Sequence, residues 1–138
     1  GTASYYSQIK TGIRYLTQLN GASKICSMYL PTDFGAEIKE GSVDAANELE
    51  DVTFVTETTH KPDDADFVGS LQKLQAEGCQ IVTLALGVRQ VITVSGTAKK
   101  LGLTDMVFLN ASAGFRPSRV RVCDVTLFSR ALCEARVG

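Results

Sequence analysis

The chain has 138 residues, 44% of them hydrophobic and 21% charged, with a net charge of −1 and a pI near 5.8. That length suits one globular domain with its own core, and the near-neutral charge excludes a whole-chain positive field that would recruit nucleic acid or an acidic membrane. No apolar run approaches the roughly 20 residues that span a bilayer, and three prolines without a low-complexity tract argue against disorder.

The first periodic stretch is YYSQIKTGIRYLTQLNG. Tyr5, Ile9, Ile13, Leu16 and Leu19 form one apolar helical stripe. Asn20 and Gly21 provide the stop, because glycine takes the left-handed helix end without strain. KICSMYL then reads as a strand. A second helix is predicted through DFGAEIKEGSVDAANELE, with Phe34, Ile38, Ala45 and Leu49 on one face and Gly41 or Ser42 filling the gap. Asp33 is its expected N-cap, since a carboxylate accepts from the free N–H groups of a first turn. VTFVTET follows as a β-branched strand.

HKPDDADF is a loop. Pro62 ends the extended run, and Asp63, Asp64 or Asp66 caps the next helix, which turns Phe67, Leu71 and Leu74 inward and stops at Gly78. QIVTLAL is a near-continuous apolar strand of the kind covered on both faces. VRQVITVSGTAKKLGL is ambiguous. Its β-branched run favours a strand, whereas Val91, Val94 or Ser95, Ala98 and Leu101 recur with helical period. Lys99 and Lys100 then complement the helix dipole and Gly102 caps, so a helix is predicted. MVFLNAS is the fourth strand, and RVRVCDVTLF supplies a possible fifth.

Strands thus start near Lys24, Val52, Gln80 and Met106, a period of about 28, 28 and 26 residues, which is that of a βα unit. Alternation of this kind gives an α/β fold with a parallel sheet covered on both faces. Right-handed crossovers narrow it to a flavodoxin-like doubly wound parallel sheet of four to five strands. Ligands of such sheets bind outside the carboxyl ends of the strands. The loops there are residues 31–34, 58–61, 87–89 and 110–115.

Those loops lack the signatures of several chemistries. There is no GxGxxG, no GxxxxGK followed by Ser or Thr, and no GxSxG elbow. Pro31 and bulky Phe34 stand where a phosphate cradle needs glycines. His60 has no sequence-adjacent nucleophile and reads as a solvated loop histidine. A phosphoacceptor would want an acidic pair after the first strand and an Asp after a later one; LPTDFG gives one acid and LALGVRQ none. Cys26, Cys79, Cys123 and Cys133 form no CxxC pair, which argues against zinc. Cys26 reads as a core residue, and spacing assigns no disulfide. No metal, cofactor or catalytic residue is expected. Thr32, Phe34, Gly87, Val88, Arg89, Asn110 and Ser112 are instead small, aromatic or hydrogen-bonding, a mixture suited to holding a small solute.

In KICSMYLPTDFGAEIKEGSVDAANE, TTHKPDDADFVGSLQKLQAEGCQIVTLAL, TAKKLGL and MVFLNASAGF, the order and spacing of motifs resemble the type I periplasmic solute-binding proteins of ABC transporters. The likeness is to the leucine/isoleucine/valine-binding branch and covers residues 5 to 115. It implies one lobe of a two-lobed protein in which a hinge closes both lobes on the solute. The chain is similar to the second lobe only. Phe34 matches the aromatic residue before the glycine that lines the family's cleft. Residues 87–89 match a loop whose contact is often aromatic; Val88 and Arg89 are not, and Arg89 instead offers a carboxylate a planar fork. Ser112 falls where amino-acid-binding members often carry an acid for the ligand's ammonium.

The resemblance therefore implies a non-catalytic lobe, residues 1–115, for an amino acid, carboxylate or aromatic acid. Residues 116–138 follow as an Arg-rich crossover strand or tail. It also implies a missing first lobe, a membrane permease as partner, and a periplasmic or extracytoplasmic address for the parent protein. The opening GTASYYSQIK has no signal peptide and reads as an internal start. A ligand-sensing regulatory domain of the same fold is the alternative, followed by a flavodoxin-like enzyme or phosphoacceptor. The half-cleft should be sticky enough to risk self-association.

Overall fold

A computed structural model describes residues 4–111 and the backbone of residues 122–124. Helix α1 (Tyr5–Asn20) starts at Ser4, whose side chain accepts from the Ser7 amide at 3.1 Å, and ends at Gly21 with φ 72°. Strand β1 (Lys24–Tyr29) follows, then α2 (Asp33–Glu48), β2 (Thr53–Thr59), α3 (Val68–Ala76), β3 (Ile81–Ala85), α4 (Val88–Lys100), β4 (Val107–Asn110) and β5 (Val122–Asp124). The ambiguous VRQVITVSGTAKK segment is helical. Its period wins over β propensity because Val91, Val94 and Ala98 all bury on one side.

The strands pair in parallel in the order β2-β1-β3-β4-β5. This is the doubly wound arrangement expected from the alternation. Successive residues of β3 point to opposite faces and all five are buried. Ile81 meets Ile9, Ile13, Leu16, Ile38 and Ala45 beneath α1 and α2. Val82 and Leu84 meet Phe67, Leu71, Leu74, Val91 and Val94 beneath α3 and α4. Each fully buried Ile or Leu contributes about 2 kcal/mol. The surface pair Lys10–Glu48, at 2.8 Å, adds at most about 1 kcal/mol, so apolar burial decides where α1 sits.

Three hydroxyls interrupt the α2 face. Ser42, Ser27 and Thr83 are fully buried, and Thr83 Oγ1 lies 2.9 Å from each serine Oγ. Ser42 Oγ also donates to the Ile38 carbonyl at 2.8 Å. The network stitches α2 to β1 and β3, and its satisfaction makes the burial tolerable.

Cys26 and Cys79 form a disulfide with Cα atoms 5.8 Å apart. Cys26 is in the core as expected, and its partner is the residue before Gln80 at the foot of β3. Sequence spacing could not pair them because 53 residues separate them; only the β1–β3 register brings them together.

Candidate functional site

Strands β1 and β3 are neighbours, yet the chain leaves them toward opposite faces: into α2 after β1, into α4 after β3. The two connections diverge where the strand order reverses, which is where sheets of this kind hold their ligands in a crevice. Residues 30–34 form one wall and residues 86–89 the other. The Leu30 amide donates to the Ala85 carbonyl at 3.0 Å and ties the walls together at their base.

On the first wall, Thr32 rather than Asp33 is the N-cap of α2. Thr32 is extended (φ −104°, ψ 172°) and its Oγ1 accepts from the Gly35 amide at 3.1 Å. Asp33 is the first helical residue, where its charge favours the positive end of the helix without capping it. Phe34 is half-buried, and its ring meets Tyr5 edge-on at 4.9 Å and 86°. Tyr5, read from sequence only as part of a helical stripe, thus joins Phe34 at the carboxyl edge.

Below this wall, the Tyr29 hydroxyl donates to Glu57 Oε2. Burial, followed by the Glu57 hydrogen bond and charge, raises the Tyr29 phenol to about 12.

On the second wall, Gly87 is the N-cap of α4 in an extended conformation (φ −66°, ψ 156°). Gly87, Val88 and Arg89 are exposed, and Ile92, one turn further on, is 60% exposed. The first turn of α4 carries no acid. Arg89 adds a cation to the positive end of the helix dipole, so this wall suits an anionic group.

Beside the second wall lies the loop after β2. His60 is not solvated: it is only 6% exposed, with Nε2 2.7 Å from Thr58 Oγ1 and its ring 5.1 Å from that of Phe67. Burial lowers its pKa, and the Asp64 carboxylate, 3.7 Å from Nδ1, opposes that shift. Its apolar neighbour Phe67 lies seven residues on, beyond the polar loop residues, which explains why sequence read the histidine as solvated. Of the three aspartates expected to cap α3, Asp66 accepts from the Val68 amide at 3.1 Å and Asp64 accepts from the Lys61 amide at 2.9 Å. Phe67 occupies the N-cap position itself.

Sequence reasoning also passed over Gln90. This buried residue accepts from the Gly87 amide at 3.0 Å and donates to the carbonyls of Lys61 and Asp64 at 2.8 and 3.1 Å. Its place three residues after an N-cap was the available signal, because a Gln there reaches back to the cap amide.

Asn110 is fully buried at the end of β4. Ser112 lies outside the described residues, as do Arg116, Arg119, Arg121, Arg130, Arg136 and Cys133. Among the described residues, no cluster of His, Cys, Asp and Glu can hold a metal ion, and no helix is long and apolar enough to cross a membrane. A surface depression of about 420 Å³ lies at the opposite edge, lined by residues such as Gln75, Gln80, Thr104 and Asp105, away from the crevice.

Solved structures share this architecture. A branched-chain amino acid ABC transporter protein from Thermus thermophilus with bound valine superposes with a TM-score of 0.71 at 25% identity, over 79% of this chain and 28% of its own. A fatty acid ABC transporter substrate-binding protein from Thermomonospora curvata gives 0.74 at 23% identity, over 83% and 30%. An ABC transporter solute-binding protein from R. palustris in complex with 4-hydroxybenzoate gives 0.67 at 13% identity, over 78% and 30%. The chain therefore spans about three-tenths of these proteins, the extent of one α/β lobe. No curated protein sequence matches it. The profile of the periplasmic binding protein family matches residues 2–120, and the chain belongs to that family.

Proposed function

We propose that the chain is the second lobe of an ABC-transporter substrate-binding protein and holds a small amino acid, carboxylate or aromatic acid without transforming it. The crevice between the β1 and β3 connections carries this reading. Phe34, in edge-on contact with Tyr5, would line one side of it, and the exposed Gly87, Val88 and Arg89 corner the other. An aromatic surface facing a cationic fork suits a solute with an apolar body and a carboxylate. The ligands bound in two similar structures, valine and 4-hydroxybenzoate, have that form.

One lobe supplies one side of such a site. A facing first lobe closes on the solute and excludes water, and a membrane permease receives the closed form. Residues 116–138 are proposed as a crossover strand or tail; the parallel pairing of Val122–Asp124 with β4 supports the crossover strand. The Cys26–Cys79 disulfide supports an extracytoplasmic address, because such bonds persist in oxidising compartments.

NMR titration of the 138-residue chain with valine and 4-hydroxybenzoate at millimolar concentration tests this reading. The expected shifts centre on residues 32–35 and 87–89. Shifts confined to the opposite edge, around Gln80 and Asp105, would reject it.

A further inference from the structure

We propose that Gln90 is a positioning residue that couples the loop after β2 to the solute-facing corner before α4, so that both move as one unit. The inference rests on the solute-binding reading of that corner. Gln90 is 6% exposed, and its carboxamide is used to capacity on both nitrogen hydrogens. Nε2 donates to the Lys61 carbonyl at 2.8 Å and to the Asp64 carbonyl at 3.1 Å, while Oε1 accepts from the Gly87 amide at 3.0 Å. One planar group therefore grips two connections that are otherwise separate in sequence.

The gripped loop is itself closed. The Asp64 amide donates to the Lys61 carbonyl at 3.1 Å, and the Asp64 carboxylate accepts from the Lys61 amide at 2.9 Å. His60 anchors it inward through Thr58 Oγ1 and the Phe67 ring. A rigid loop on one side of the carboxamide and the N-cap of α4 on the other leave the side chain little rotational freedom. The corner is thereby held in place before any solute arrives, and a preorganised corner loses less conformational entropy on binding. Gly87 has no side chain to fix its own position, so the hold comes from Gln90.

Two variants separate coupling from simple packing. Gln90→Glu retains an acceptor for the Gly87 amide but offers no donor to the Lys61 and Asp64 carbonyls. Gln90→Ala removes both halves. NMR-detected amide exchange on the whole chain reads the Lys61, Asp64 and Gly87 amides directly. We expect both variants to speed exchange at all three by about tenfold or more while β1 and β3 keep their protection. Faster exchange at Lys61 and Asp64 with Gly87 unchanged in Gln90→Glu, or at Gly87 alone in Gln90→Ala, would show two independent contacts and overturn the coupling.

In a two-lobe protein that contains this chain, calorimetry with valine and 4-hydroxybenzoate gives the second readout. Positioning predicts about a tenfold loss of affinity, measured well below the melting temperature of each variant. Unchanged affinity in variants whose loops have loosened would overturn it. If the unsubstituted protein binds neither probe nor any related acid, the solute-binding reading fails, and the exchange data alone decide the coupling.

Discussion

Gly35 packs so closely on the carbonyl of Leu30 that a Cβ at Gly35 would lie 1.8 Å from that oxygen. The contact fixes the angle at which β1 turns into α2. It involves backbone on one side, so no side-chain rotation can relieve a substituent. Gly35→Ala should destabilise the chain by about 3 kcal/mol, at the upper end of overpacking costs. Thr32→Ala, which removes the cap of the same helix, should cost about 1 kcal/mol. Urea denaturation of both variants checks the order; equal effects would contradict the steric account.

The disulfide closes a loop of about fifty residues, for which chain entropy gives about 4 kcal/mol, between Cys26 and Cys79. Cys79→Ala should therefore lower the unfolding free energy by about 2–4 kcal/mol. A reductant should lower the melting temperature of the unsubstituted chain but not that of the variant. Mass spectrometry of peptides under non-reducing conditions should recover the Cys26–Cys79 link.

Acid should act through His60. Its folded pKa is lowered, chiefly by burial, so its contribution is fully present above its unfolded value of about 6.5 and is lost as pH falls through the folded value. The melting temperature of the unsubstituted chain should fall more steeply than that of His60→Gln as pH is lowered from 7 toward 5. Parallel curves would show that the ring is not buried in its neutral form.

Alkali should act through Tyr29. Its phenol is raised to about 12 by burial and then by Glu57, so the stability it contributes is present below about pH 10 and is lost as pH rises toward 12. Ultraviolet titration should show a late phenolate phase that Tyr29→Phe diminishes. Glu57→Gln should bring that phase to lower pH, since it takes away the carboxylate charge but leaves the burial.

Periodicity and strand spacing made the fold legible. The βα repeat gave the parallel sheet, and Val91, Val94 and Ala98 identified α4 as a helix despite its β-branched residues. The resemblance pointed to the solute-binding family, and the profile match over residues 2–120 bears this out. What stayed hidden depends on pairs distant in sequence. Cys26 meets Cys79 through strand register, Phe34 meets Tyr5 through helix packing, and Gln90 meets Lys61 across two loops. The Thr32 cap was missed for a local reason: Thr32 and Asp33 are both good caps, and the extended backbone at Thr32 decides between them.

The central claim is that this chain forms one wall of a solute site. Calorimetric titration of valine and 4-hydroxybenzoate into the 138-residue chain and into a two-lobe protein containing it tests that claim most directly. The account predicts binding by the two-lobe protein and an affinity for the chain alone at least about a hundredfold weaker, a difference of about 2.7 kcal/mol. Equal affinities would contradict it, because the site would then be complete within these residues.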